Sequence, residues 1–153
     1  MIKKISLVIL ILFTASCGYE AMHTSKNRQN YDFSISKISF EGDKVINSKI
    51  EGRLNAYRKS SQNKNLTLKV NSRSEKVVLA KNVSGNTTTF NNTVTVEVEI
   101  SIENKVKDNL ILKETFNYSN TSNKFQLKNY EKEIKNNLAE TIADKLIFKL
   151  SNI

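Results

Sequence analysis

At 153 residues, 39% hydrophobic and 25% charged, the chain has room for one folded domain and matches neither a disordered chain nor a membrane bundle. Its formal net charge is +9, and a basic surface draws polyanions: nucleic acid, anionic lipid heads or phosphorylated glycolipid. Lysines outnumber arginines 20 to 4, which argues against a specific nucleic-acid reader, because bidentate contacts to bases and phosphates lean on arginine.

The first element is an address. Lys3 and Lys4 precede a nine-residue apolar run, Ile5 to Phe13 (ISLVILILF), broken only by Ser6, and the small residues Thr14, Ala15 and Ser16 follow. Nine residues at about 1.5 Å each cover about half of a ~30 Å hydrocarbon core, too little to span it. Residues 1–16 therefore read as a signal peptide. Without it the chain has 22 basic and 15 acidic residues, a net +7. The only cysteine, Cys17, comes directly after. One reading of it is ordinary secretion with a free thiol. The other rests on likeness: Ala15-Ser16-Cys17 resembles a bacterial lipobox, with Thr14 where leucine is usual. That resemblance implies that Cys17 is the acylated first residue of the mature protein, and Gly18 after it, in place of aspartate, implies the outer membrane. Several acyl chains on one cysteine anchor firmly, whereas one chain anchors only marginally.

Residues 18–31 (GYEAMHTSKNRQNY) show no sustained period and read as a tether, so 17–31 precede a single domain, 32–153. A strand is expected within Asp32 to Phe40. Phe33 and Ile35 share one face and Ile38 and Phe40 the other, with a slip near Lys37 of the kind a bulge produces. Gly42-Asp43 ends the strand, and Asp43 is a good N-cap for a helix over about Lys44 to Lys59. Its apolar stripe is Ile46, Ile50, Leu54 and Tyr57. The polar turn SQNKN leads to a second strand, about Leu66 to Lys81. Its polar stretch Asn71 to Lys76 predicts a central irregularity or a division in two. NVSGN supplies a turn around Gly85, and NTTTFNNT (86–93) reads as a Thr/Asn-rich turn. TVTVEVEISIE (93–103) alternates for ten residues, the pattern of a sheet with one wet face. NKVKDN (104–109) reads as a turn. In the fourth strand Leu110, Leu112, Phe116 and Tyr118 share a face, with Glu114 as the exception. The last element is an amphipathic helix, about Leu127 to Leu150. Leu127, Tyr130, Ile134, Leu138, Ile142, Leu146 and Leu150 form one stripe, and a Glu131–Lys135 pair is predicted outside it. The order β-α-β-β-β-α predicts an α/β (α+β) two-layer sandwich. It has a mostly antiparallel four-stranded sheet with two helices on one face and solvent or a partner on the other.

Catalytic chemistry is not expected. The only histidine, His23, lies in the tether, and one cysteine and one histidine supply neither a conventional triad nor a Cys/His zinc site. No phosphate-binding glycine loop occurs. Glu97 and Glu99, two apart on a wet face, read as solvated alternation rather than a carboxylate pair.

A lipobox with Cys17-Gly18-Tyr19, a tether, this element order and a closing amphipathic helix together resemble the lipopolysaccharide-assembly lipoprotein family, LptE. Residues 118–150 (YSNTSNKFQLKNYEKEIKNNLAETIADKLIFKL) carry the likeness best, through Tyr118, Asn123 and Phe125 before the helix, then Tyr130-Glu131 and Asn137-Leu138-Ala139. The resemblance implies a non-enzymatic lipoprotein, lipid-anchored on the periplasmic face of the outer membrane. Its partners would be outer-membrane lipid through the acyl chains, lipopolysaccharide, and the large β-barrel LptD, which it plugs and helps assemble. It would need no cofactor beyond the lipid on Cys17, and no nucleic acid. A basic body suits the ligand's phosphates, and the polar sheet face with NTTTFNNT suits a polar barrel lumen. The candidate ligand contacts are Lys81, Lys124 and Lys128, then Arg73 and Lys76. Charge reversal at Lys81 and Lys124 together is expected to weaken lipopolysaccharide binding. The rival readings are another outer-membrane lipoprotein, binding or activating a cell-envelope enzyme or lipid transporter, and a general periplasmic lipid-binding module.

Overall fold

The first strand, β1 (Phe33–Gly42), carries a phase slip that decides which side of the sheet its second half serves. Its register against the next strand shifts between Ile35 and Lys37. Ser36 takes up the extra residue, and its hydroxyl donates to the Leu66 carbonyl at 3.0 Å. The slip sits where the sequence predicts it, with a different consequence. One extra residue reverses the alternation, so Ile38 and Phe40 stand beside Leu68 and Val70, on the same side as Phe33 and Ile35 rather than the opposite one. A computed structural model describes residues 33–58 and 64–153, within one unit, Asp32–Ile153. The predicted signal peptide, Cys17, the tether and the predicted helix end at Lys59 lie outside the described residues.

β1 stops at Gly42, whose φ of +90° is left-handed territory. Asp43 then caps α1 (Lys44–Leu54), its Oδ1 accepting from the Val45 and Ile46 amides at 2.9 and 3.3 Å. The helix buries Ile46, Ile50 and Leu54. Past Leu54 the predicted stripe tightens into a 3-10 turn, Asn55–Tyr57, which lays Tyr57 on Phe33 with ring centroids 5.0 Å apart.

β2 (Lys64–Lys81) is one strand of 18 residues, parallel to β1. Of the two expectations, one long strand or a division in two, the structure has the first, and the polar stretch stays in the ladder because its core-side members meet the capped end of α1. Ser72 is buried and donates to the Asp43 carbonyl and to Asn47 Oδ1 at 3.2 and 2.7 Å. The irregularity lies instead between Val78 and Lys81. β3 (Thr87–Ile102) pairs antiparallel with β2 and begins before its alternation becomes legible, so NTTTFNNT is strand from Thr87 onward, not turn. β4 (Lys105–Ser119) pairs antiparallel with β3. The predicted turn NKVKDN contracts to Glu103-Asn104, with φ of 49° and 63°, the left-handed pair that closes a two-residue hairpin.

The sheet order is β1-β2-β3-β4, with α1 and α2 (Lys124–Leu150) on one face, as the sequence predicts. Leu66, Leu68, Val70, Val94, Val96, Val98 and Ile100 meet the helix residues Leu127, Ile134, Leu138, Ile142, Leu146 and Leu150, all buried. Burial of each contributes about 1.5–3 kcal/mol before the entropy of ordering is charged against it. Tyr130, placed on the same stripe by its spacing, is 44% exposed. Ion pairs line the seam between the helices: Asp43–Lys135 at 2.9 Å, Lys49–Glu140 at 2.8 Å, and Arg53–Asp144. Positions rise together along both helices, so α1 and α2 run in the same direction. The predicted Glu131–Lys135 pair does not form, because Lys135 reaches Asp43 across the seam and Glu131 reaches Lys76 on β2.

Asp43 makes this corner pH-sensitive. Burial pushes its carboxyl up, but the Lys135 hydrogen bond and the amides of Ile46 and Val45 outweigh it and hold the pKa below the ordinary value of 3.8. A depressed folded value means that ionised Asp43 stabilises the domain above the unfolded pKa, and that this contribution is lost as pH falls through the folded one. Asp43→Asn keeps a cap acceptor and removes the charge. Urea midpoints should show a loss of about 0.5–1 kcal/mol at neutral pH, and a shallower decline than wild type below about pH 4. Parallel declines would remove Asp43 as the titrating group.

Candidate anion-binding cleft

Where the N-terminal end of α1, the middle of β2 and β3 and the first half of α2 converge, the packing leaves a cleft of about 320 Å³. Val45, Ser74 and Asn92 line it together with Lys76, Lys128, Glu131, Lys132 and Lys135. Ser74 and Lys76 reach it because even-numbered residues of β2 share the helix-covered face with Leu66, Leu68 and Val70. Lys128, Lys132 and Lys135 reach it at spacings of four and three on one flank of α2.

Two of the four lysines are committed. Lys76 pairs with Glu131 and stands 3.8 Å from the Phe90 ring centre. Glu131 also accepts from the Tyr118 hydroxyl at 2.9 Å. Burial and that carboxylate push the Tyr118 phenol above its usual range, so it remains a donor. Tyr118 packs on Phe90 at 5.6 Å and edge-on to Tyr130 at 6.1 Å, which fixes Glu131 and through it Lys76. Lys135 is held by Asp43. Lys128 and Lys132 have no ion-pair partner among the described residues. The cleft therefore has a braced wall and two uncommitted ammonium groups at its rim, an arrangement able to receive a phosphate or carboxylate.

Of the predicted contacts, the structure brings Lys76 and Lys128 together here. Lys124 lies one turn before Lys128 on α2 and is exposed. Lys81 closes β2 opposite Thr87. Asn120, just before α2, donates to the Thr87 and Thr88 carbonyls at 2.8 Å each, so Lys81 and Lys124 lie at the same end of the sheet. Arg73, an odd-numbered residue of β2, sits on the opposite face, paired with Glu97. Lys132 and Lys135 are members that the sequence reading missed. The available sign was the spacing Lys124, Lys128, Lys132, Lys135, a basic stripe with the same period as the apolar one.

The helix-free face of the sheet is polar. Lys69 pairs with Glu99 at 2.8 Å, and the Asn91 amide donates to Thr115 and Asn117 at 2.6 Å each. Among the described residues no helix is long and apolar enough to cross a membrane.

No family model matches the chain, and no curated protein matches it in sequence. Solved structures resemble it in fold. Rare lipoprotein B from Shewanella oneidensis superposes with a TM-score of 0.56 at 16% identity, covering 76% of this chain and 97% of that one. A minor lipoprotein from Acinetobacter baumannii gives 0.62 at 15% identity, covering 80% and 92%. Lipoprotein B from Nitrosomonas europaea gives 0.55 at 14%, covering 81% and 88%. The likeness is one of fold.

Proposed function

We propose that this chain, which shares its fold with bacterial lipoproteins, is an outer-membrane lipoprotein acylated at Cys17. In this reading it binds lipopolysaccharide and plugs an LptD-like β-barrel while helping it assemble. The observation that carries the reading is the cleft of four lysines on a domain with no catalytic constellation in its sequence, in a chain that opens on a signal-peptide pattern and a lipobox-like Ala15-Ser16-Cys17. Phosphates of the glycolipid would sit against Lys128 and Lys132, with Lys76 and Lys135 behind them. The polar, ion-paired sheet face offers the surface that a hydrophilic barrel lumen accepts.

Affinity purification from detergent-solubilised membranes tests the partner. Co-recovery of a large β-barrel supports the plug, whereas recovery of a peptidoglycan synthase with no barrel moves the chain to the rival class of envelope-enzyme partners. The anchor has its own test. Mass spectrometry of the mature N-terminus should show Cys17 as the first residue carrying acyl chains. An unmodified Cys17 removes the anchor.

A further inference from the structure

The β2–β3 hairpin runs beyond the helices, and there its β2 strand carries apolar side chains on both faces, opposite the Thr-rich start of β3. Val77 emerges on the polar side of the sheet, Val78, which pairs with Phe90, on the helix side, and Leu79 at the register shift that follows; all are exposed, Leu79 by 56%. Val83 stands at the apex, fully in solvent. It is held there by the turn itself. Asn82 Oδ1 accepts from the Ser84 and Asn86 amides at 3.0 and 2.9 Å, and the Gly85 amide donates to the Asn82 carbonyl at 2.9 Å. Phe125, 74% exposed, joins the same end through the Asn120 bonds to Thr87 and Thr88. Scattered exposed apolar residues are ordinary, but five at one protruding end mark an interaction surface.

Charge identifies the occupant. No acidic residue occurs from Lys76 to Val96, and Lys81 and Lys124 stand at this end. Exposed apolar side chains with two lysines beside them have the design of an interfacial anchor: side chains enter the acyl boundary while ammonium groups meet anionic heads. We infer that the β2–β3 hairpin tip inserts Val77, Val78, Leu79 and Val83 into the interface of an anionic lipid bilayer. This contact continues the same hairpin past the lysine cleft and is independent of any barrel partner.

The chain contains no tryptophan, so a single one reports its surroundings without background. Full-length protein carrying Val83→Trp is reconstituted in phosphatidylethanolamine–phosphatidylglycerol vesicles with brominated acyl chains. Ile111→Trp, at an exposed position on the polar sheet face, serves as the control. The tip tryptophan is expected to shift to the blue and lose most of its emission to bromine, while the control stays bright. Adding Leu79→Asp to the tip variant should restore emission with the far-ultraviolet circular dichroism unchanged. An unquenched tip, equal quenching at both positions, or equal quenching of the tip in purely zwitterionic vesicles overturns the assignment. Failure to recover a barrel, or to bind lipopolysaccharide, leaves these outcomes unaffected.

Discussion

Gly42→Ala is expected to destabilise the domain by about 3–5 kcal/mol, a large share of the ~5–15 kcal/mol that holds a domain of this size together. A Cβ at this position would overlap the Ser72 carbonyl oxygen and stand 2.9 Å from its carbon, and φ is +90°. Both objections come from backbone, so no rotamer change relieves them. The Ser72 carbonyl cannot retreat without cost, because it accepts from the Asp43 amide at 3.0 Å, and the Ser72 hydroxyl is tied to the same corner. One methyl group would therefore disturb the end of β1, the cap of α1 and the middle of β2 together. Gly52 supplies the contrast. It lies in α1 with nothing within 4 Å of an added Cβ, so Gly52→Ala should stabilise by about 0.5–1 kcal/mol. Urea midpoints of the two variants should move in opposite directions. A Gly42→Ala midpoint within error of wild type would mean that the β1–α1 corner is not as tight as described.

Under the proposed function, Lys128→Glu with Lys132→Glu is expected to weaken lipopolysaccharide binding by about two to four orders of magnitude, since each of the two charge-assisted hydrogen bonds is worth roughly 1.5–3 kcal/mol and about 1.4 kcal/mol is tenfold. Both side chains are exposed and neither has an ion-pair partner among the described residues, so the fold should survive. Titration calorimetry at low and high salt reads the effect, and wild-type affinity should fall with salt more steeply than that of the variant. Lys81→Glu with Lys124→Glu is the companion, and it too should weaken binding, by less. A larger loss from this outer pair would move the ligand from the cleft to the end of the sheet. No loss from either pair would remove the basic stripe as the binding surface.

The layers of the fold are legible in the sequence because burial imposes period two on strands and period 3.6 on helices. Val94 to Ile102 and Leu127 to Leu150 announce themselves for that reason. The ends of elements do not. Ser72 and Ser74 look like loop residues until the α1 cap gives their hydroxyls partners. Thr87 to Thr89 lacks apolar alternation because the hairpin outruns the helices there, and Asn92 breaks the pattern further on because a polar residue fills a buried position in the cleft. Glu103 at positive φ is a choice made by the hairpin, not by the residue. The cleft is half legible. Lys76 and Lys128 stand out as candidates, but Arg73 has no assignable face while the continuity of its strand is open. With the ladder unbroken from Lys64 to Lys81, Ser74 and Lys76 face the helices and Arg73 faces the polar side.

The sequence by itself determined the charged, apolar and small-residue run that ends at Cys17, the β-α-β-β-β-α order, the apolar face of Val94 to Ile102, and the lack of a histidine or cysteine constellation, since each of these is written in local spacing or composition. Only the tertiary structure decided which lysines share a cleft and which are neutralised. Glu131 and Lys135 are ideally spaced to pair within one helix, yet each takes a partner from another element, Lys76 and Asp43. Charge pairing depends on which side chains packing brings within a few ångströms, and that follows from the layer arrangement rather than from neighbours along the chain.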